Sequence, residues 1–264
     1  SVEHGESIIE EFSKLKTKFP HFEFAFKLQY RDLETFIRQD YKGRTDIKHV
    51  KRFEETKLSR IEQKRLVAKI KGLSFKAMCT PFDESSVNWI IEDGFDIIKI
   101  ASCSCGDWPL LEKIASVNLP IVLSTAGAKL EIIDSVVSFF SNRNKDFIIQ
   151  HCVGEYPTAV EKMNLAQIEF LKKRFPGIRV GFSTHEDPDN VDIVKMAVAK
   201  GATSFERHVG LPTKKWPLNN YSSTLEQTEK WLEAANLALA IDGNSASRYE
   251  PSEIELDALI SLQR

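Results

Sequence analysis

The chain has 264 residues, 36 lysines and arginines against 38 aspartates and glutamates, a net charge of −2 and a pI near 6.3. That balance leaves no electrostatic footprint for nucleic acid or an anionic membrane, and no apolar run approaches the roughly 20 residues of a membrane-spanning helix. The length suits one large α/β domain or two small ones, with a substantial buried core.

The first residues, "SVEHGESIIEEFSKLKTKF", read as helix. Seven β-rich runs follow in order: "FEFAFKLQY" (22–30), "SFKAMCTPF" (74–82), "FDIIKIAS" (95–102), "PIVLST" (120–125), "FIIQHCVG" (147–154), "RVGFSTHE" (179–186) and "SFERHVGL" (204–211). They are nearly continuous in apolar residues, as parallel strands covered on both faces are. Between them lie the helical patterns "WPLLEKIASV", "KLEIIDSVVSFFSN", "NLAQIEFLKKRF" and "NVDIVKMAVAKG", the last closing at Gly201. In "EDPDN", Asp187 and Pro188 are expected to mark that last helix's start. The long charged stretch 31–53 falls outside the rhythm, either covering a site or packing on the wall.

Seven βα units without a break predict a (β/α)8 TIM barrel rather than an open doubly wound sheet, and no G-x-G-x-x-G follows any strand. The count is one strand short, so the first strand is expected upstream of residue 1. Residues 1–242 are read as the barrel domain. Residues 243–264, with a polar break over 242–247 and then a short helix pattern, are read as a linker and helix toward a further domain. The four cysteines, Cys79, Cys103, Cys105 and Cys152, sit in or just after apolar runs and are expected to be reduced, buried thiols, with a reducing cytoplasm as the default location.

Chemistry in a barrel collects at the C-terminal ends of the strands. Read in order, those ends offer Lys27 and Gln29, Thr80, Lys99 and Ser102, Ser124 and Thr125, His151, Ser183 and His185, then Glu206 and His208. A lysine inside an apolar run needs an anion, because a buried unpaired ammonium is costly. Lys27 and Lys99, among so many hydroxyls, point to a phosphate or carboxylate ligand, with a buried lysine–carboxylate pair as the alternative. His185 and His208 end consecutive strands, an arrangement that suits a divalent metal completed by water and substrate oxygens. Ser183 and His185 alternate along one strand and so share a face. His151, deep in its run, is as readily structural, and His4, His21 and His49 make no case for a site.

The runs "CTPFD", "IIKIAS", "PIVLSTAGA", "QHCVGEYPT", "MNLAQIEFLKKRFP", "VGFSTHE" and "FERHVGL" together resemble the sialic acid synthase (N-acetylneuraminate synthase) family, from residue 1 to about 211. The resemblance implies a (β/α)8 barrel that condenses phosphoenolpyruvate with an open-chain N-acylated amino sugar, such as N-acetylmannosamine. The product is a nonulosonic (sialic-type) acid, and phosphate is released. It implies phosphoenolpyruvate contacts at Lys27, Thr80, Lys99, Ser102, Ser124 and Ser183, and a sugar contact at Tyr156, while Gln29 is a further candidate substrate-binding residue read from its strand end. It further implies a divalent metal on His185 and His208 (manganese, with magnesium or cobalt as alternatives) and a homodimer. The chain departs from the family on the sugar side. Ser104 stands for a glutamate, Gly154 for Asn or Ser, and Asn219 for an aspartate, while the first strand's glutamate and Asn-His-x-Gly motif are not in this sequence.

Two other readings stand beside the transferase. A degenerate, non-catalytic barrel would bind an anionic ligand or a protein partner without turnover. A Schiff-base aldolase would use Lys99 as nucleophile.

Overall fold

The computed structural model describes residues 1–243 and 246–263. Helices α1 (Val2–Phe12) and α2 (Lys14–Lys18) precede strand β1 (Ala25–Tyr30). The charged connection folds into α3 (Leu33–Phe36), a 3-10 turn over Gln39–Tyr41 and α4 (Lys48–Glu55), and leads to α5 (Arg60–Gly72). Strand and helix then alternate through β2 (Lys76–Pro81), α6 (Glu84–Glu92), β3 (Ile97–Ile100), α7 (Trp108–Ala115), β4 (Ile121–Ser124), α8 (Leu130–Ser141), β5 (Phe147–Cys152), α9 (Ala166–Arg174), β6 (Arg179–Thr184), α10 (Asp192–Ala199) and β7 (Phe205–Arg207). Helices α11 (Leu225–Asp242) and α12 (Glu253–Ile260) close the chain.

Each of the seven apolar runs supplies one strand. All neighbours pair in parallel, in the order β1-β2-β3-β4-β5-β6-β7. Continuous apolar character follows from burial on both faces: Ile98, Ile100, Leu123 and Ile149 are fully enclosed. The sheet curls until its two edges face each other. Lys27 of β1 lies 3.2 Å from Glu206 of β7, and Phe24, Phe26 and Phe205 join one apolar cluster. Among the described residues no ladder joins β7 to β1, so the wall is an α/β barrel-like sheet with one gap. Gly181 allows β6 and β7 to approach, since a Cβ there would stand 2.5 Å from the Ser204 carbonyl oxygen.

Helix starts are fixed locally. Ser59 with Glu62 and Thr224 with Gln227 form capping boxes on α5 and α11, each worth about 1 kcal/mol. Gly201, read in the sequence as the stop of this helix, follows α10 with a positive φ of 82°. The opposite end of α10 differs from expectation: it begins at Asp192, not at Asp187–Pro188. Asp187 Oδ1 accepts from the Asp189 amide and Asn190 Oδ1 from the Asp192 amide, so side chains hold this segment in turns until residue 192.

The cysteine expectation also needs one correction. All four thiols are free and Cys79, Cys105 and Cys152 are buried, but Cys103 is exposed. It falls in the 3-10 turn Ser102–Ser104 beyond β3, where the alternation of the strand no longer directs it into the core. The connection 31–53 has a small core of its own, Leu33, Ile37 and Val50 with Ile47 and Phe53. At the C-terminus α12 forms where a short helix was read, and it buries none of its residues. The polar break 242–247 includes residues 244 and 245, which lie outside the described residues.

Candidate active site at the strand ends

Two lysines define the floor of the curled sheet. Lys99, on β3, is 2% exposed and donates to Ser124 Oγ on β4 and to Gln150 Oε1 on β5. Its ammonium also stands 3.5 Å from Glu206 Oε2, while Lys27 approaches Glu206 Oε1 at 3.2 Å. Ser183 of β6 donates to the same Oε1 at 3.3 Å. Side chains from β1, β3 and β6 thus meet around the Glu206 carboxylate of β7.

The electrostatics follow from that geometry. Burial disfavours the charged form of Lys99 and pulls its pKa down, against the attraction of Glu206. Burial likewise opposes ionisation of Glu206, but Lys99 and Lys27 outweigh it and hold the carboxyl at about 2. Glu206 is therefore an anion held between two cations, in a place that a carboxylate or phosphate ligand also fits. In this structure the lysines meet a protein carboxylate, as in the alternative weighed from the sequence.

The remaining hydroxyls border this cluster unevenly. Ser102 Oγ accepts from the Ala126 amide at 3.1 Å and lies 3.2 Å from Cys152 Sγ. Thr80 is 2% exposed and its hydroxyl has no partner, an orphan donor inside the wall. Gln29 accepts from Arg31 Nη2 at 3.1 Å. Among the described residues no hydrogen bond joins Thr80 or Gln29 to the lysine cluster.

The histidines make a second group beside the first. His185 and His208 have ring centroids 5.4 Å apart. Tyr156 covers His185 at 4.2 Å, and Tyr221 stands 5.3 Å from His208 and 6.0 Å from His185. The Tyr156 segment is tied down by the Thr158 amide, which donates to the His185 carbonyl at 2.9 Å. Burial, then for His208 the charges of Lys27 and His185, pushes both imidazoles down to about 4, so they are neutral at pH 7.

Nδ1 of His185 faces the Val153 carbonyl at 3.2 Å, which directs the ring proton there and leaves the Nε2 lone pair free. Two neutral imidazoles side by side fit a divalent metal. Among the described residues no group of three or more His, Cys, Asp or Glu side chains forms a complete protein ligand set, so water or substrate oxygens would complete the coordination. His151 is a separate case: its Nε2 donates to the Met163 carbonyl at 2.8 Å and its ring stacks on Phe182, a structural role.

Three residues of this site carried no role in the sequence reading. Glu206 was visible only as one more polar strand end. Gln150 sat inside an apolar run, where a single amide gives little signal. Tyr221 lies in the loop after β7, presented by Asn219, whose Oδ1 accepts from the Tyr221 amide at 3.1 Å. Of the family departures, Ser104 is buried at the mouth of β3, and Gly154 has room for a side chain, since a Cβ there would meet Ala126 Cβ at 3.7 Å.

Residues 22–237 match the NeuB family. The chain belongs to that family. The NeuB-family chain is 32% identical to N-acetylneuraminate-9-phosphate synthase of Drosophila melanogaster over 202 residues, 76% of its own length and 53% of the relative's. It thus spans about half of that curated relative. A crystal structure of a protein assigned to spore coat polysaccharide biosynthesis (protein E) from Chromobacterium violaceum superposes with TM-score 0.97 at 52% identity, covering all of this chain and 78% of that one. The N-acetylneuraminic acid synthetase of Leptospira borgpetersenii, crystallised with citrate, gives TM-score 0.82 at 25% identity, over 98% of this chain and 86% of that one.

Proposed function

We propose that this NeuB-family chain is a metal-dependent transferase that condenses phosphoenolpyruvate with an N-acylated amino sugar aldehyde, giving a nonulosonic acid and phosphate. The observation that carries the reading is the convergence of Lys27, Lys99 and Ser183 on one anion position, with Ser124 bonded to Lys99, beside a pair of neutral histidines. Kinship with enzymes named for sialic acid synthesis supports it.

In this reading Lys27, Lys99 and the hydroxyls of Thr80, Ser102, Ser124 and Ser183 bind the carboxylate and phosphate of phosphoenolpyruvate. The unpartnered Thr80 hydroxyl is an available donor for that ligand. Glu206 holds both ammonium groups in place and keeps their charges from repelling one another before the ligand arrives. Tyr156 and Gln29 line the sugar. His185 and His208 would hold a divalent metal, manganese with magnesium or cobalt as alternatives, which supplies Lewis acidity to an aldehyde oxygen when bound. The enol carbon C3 attacks the aldehyde carbon, water adds at C2, and phosphate leaves with its bridging oxygen to leave a 2-keto acid.

The test is release of inorganic phosphate from phosphoenolpyruvate with N-acetylmannosamine or its 6-phosphate as acceptor. Release should require both acceptor and metal, stop on chelation, and fall by at least about a hundredfold when His185 and His208 are both replaced by alanine. Release that needs no sugar, or that survives the double replacement, rules the reading out.

A further inference from the structure

Gln150 sits in the middle of β5 and is 1% exposed, a place where an apolar side chain would ordinarily fill the wall. Ser124, Gln150 and Gly181 are register partners across β4, β5 and β6, so they share one row and one face of the sheet. A Cβ at Gly181 would stand 3.1 Å from Gln150 Cγ, so the glycine leaves room for the amide side chain. Lys99, on β3, reaches into this row and donates to both Ser124 Oγ and Gln150 Oε1.

The amide has one orientation that suits this place. Its Nε2 donates to Ser204 Oγ at 3.4 Å, which leaves Oε1 facing the ammonium, whereas a reversed amide would set its NH2 against a cation. The Ser124 hydroxyl donates to the same Oε1 at 3.5 Å and so turns its lone pairs to Lys99. An ammonium has three N–H donors. Two are taken by the neutral acceptors Ser124 and Gln150, and the third has the Glu206 carboxylate at 3.5 Å. A neutral amide is a different partner from Glu206. It holds the cation in place without cancelling its charge, so the ammonium still attracts an incoming anion.

We infer that Gln150 is a positioning residue: with Ser124 it tethers Lys99 and turns the remaining N–H toward the position of the Glu206 carboxylate, where a ligand carboxylate or phosphate is received. The inference rests on the proposed function for the identity of that ligand. Gln150 acts through Lys99. With two donors held by the tether, the ligand exchanges with Glu206 at the third and leaves the buried ammonium with neutral partners throughout.

Gln150→Met keeps the length of the side chain and removes the acceptor. Two measurements on the full chain test the tether: calorimetric titration with phosphoenolpyruvate, and the pH titration of Lys99 followed by NMR with lysine isotope-labelled at Cε, its signal identified by its loss in Lys99→Met. The ionisable groups whose charges Lys99 shares, Glu206, Lys27, Cys152 and His185, are the same in both Gln150 variants. In Gln150→Met, Lys99 should lose its proton at lower pH than in the unaltered chain, because its charged form has lost a hydrogen bond. Phosphoenolpyruvate should bind about tenfold more weakly. Gln150→Glu keeps an oxygen at the same place and adds a charge, so Lys99 should hold its proton to higher pH. A side chain that only fills space would not move Lys99 in opposite directions. Circular dichroism establishes folding, and if Gln150→Met does not fold, the direction of the shift in Gln150→Glu decides. An unmoved Lys99 overturns the inference, as does phosphoenolpyruvate affinity that stays within about twofold in folded Gln150→Met. If phosphoenolpyruvate does not bind the unaltered chain but Lys99 moves both ways, the proposed function falls and the tether stands. If phosphoenolpyruvate binds and Lys99 does not move, the tether falls and the proposed function stands.

Discussion

Glu206 is the residue on which the floor of the site turns, because it is the only carboxylate that Lys27 and Lys99 both reach among the described residues. Replacing it with glutamine leaves two ammonium groups facing each other with one of them buried. The expected cost is about 3 kcal/mol, the low end for breaking a buried pair, since the Glu206 side chain retains 17% exposure. Chemical denaturation of Glu206→Gln measures that loss, and phosphoenolpyruvate should raise the melting temperature of the variant by more than it raises that of the unaltered chain. An equal or smaller rise would show that ligand and carboxylate do not answer the same charges. The sequence made the need for an anion legible, because lysines in "FAFKLQ" and "IIKIAS" cannot be left unpaired in an apolar wall. It did not reveal which anion the free chain uses. Lys27 and Glu206 lie near opposite ends of the chain and meet only once the sheet has curled.

At the scale of elements, the short strand β7 must aim Glu206 and His208 inward although it is only three residues long. Its outward residue does that work. Arg207 bonds Glu186 Oε1 at 2.6 Å and also donates to Ser223 Oγ, with the Arg207 and Glu186 side chains 3% and 1% exposed. This pair clamps β7 to the end of β6 and to the loop that carries Tyr221. Burial raises the Glu186 pKa and Arg207 opposes that rise, so the pair is held against a desolvation cost. Glu186→Ala should therefore destabilise the fold by about 3–5 kcal/mol, read from urea denaturation, and weaken the metal binding proposed at His208 through the loosened strand. Strands were legible here because continuous apolar runs of this length have few other uses. The start of α10 was not, since Asp187 and Asn190 turn their side chains onto the backbone and delay the helix past Pro188. The rim formed by 31–53 was visible as an interruption, while its aromatic stack on Arg31 depended on Phe82 arriving from β2.

Over the whole molecule, the curled sheet brings buried His151 and His185 and half-buried His208 into the fold with depressed pKa values: His185 and His208 at about 4, and His151 lowered by burial against its bond to Met163. An unfolded chain takes up these protons near pH 6.5, before the folded one does. Their contribution to stability is therefore complete above pH 6.5 and is lost as pH falls from there toward 4, a loss on the order of 3 kcal/mol by pH 5. Urea midpoints measured at pH 7 and pH 5 should fall accordingly, whereas a flat profile would mean that the histidines are solvated. The barrel-like architecture was legible from strand count and rhythm: seven parallel strands follow in sequence order, with no ladder between β7 and β1 among the described residues. Side-chain pairings across that gap were not legible, because they belong to tertiary closure. The central claim, that the strand ends form a phosphoenolpyruvate site, is tested most directly by calorimetric titration of that ligand into the unaltered chain and into Lys99→Met. Saturable binding that weakens by about tenfold or more in the folded variant is the predicted result. No binding by the unaltered chain, or equal affinity in the two, would contradict it.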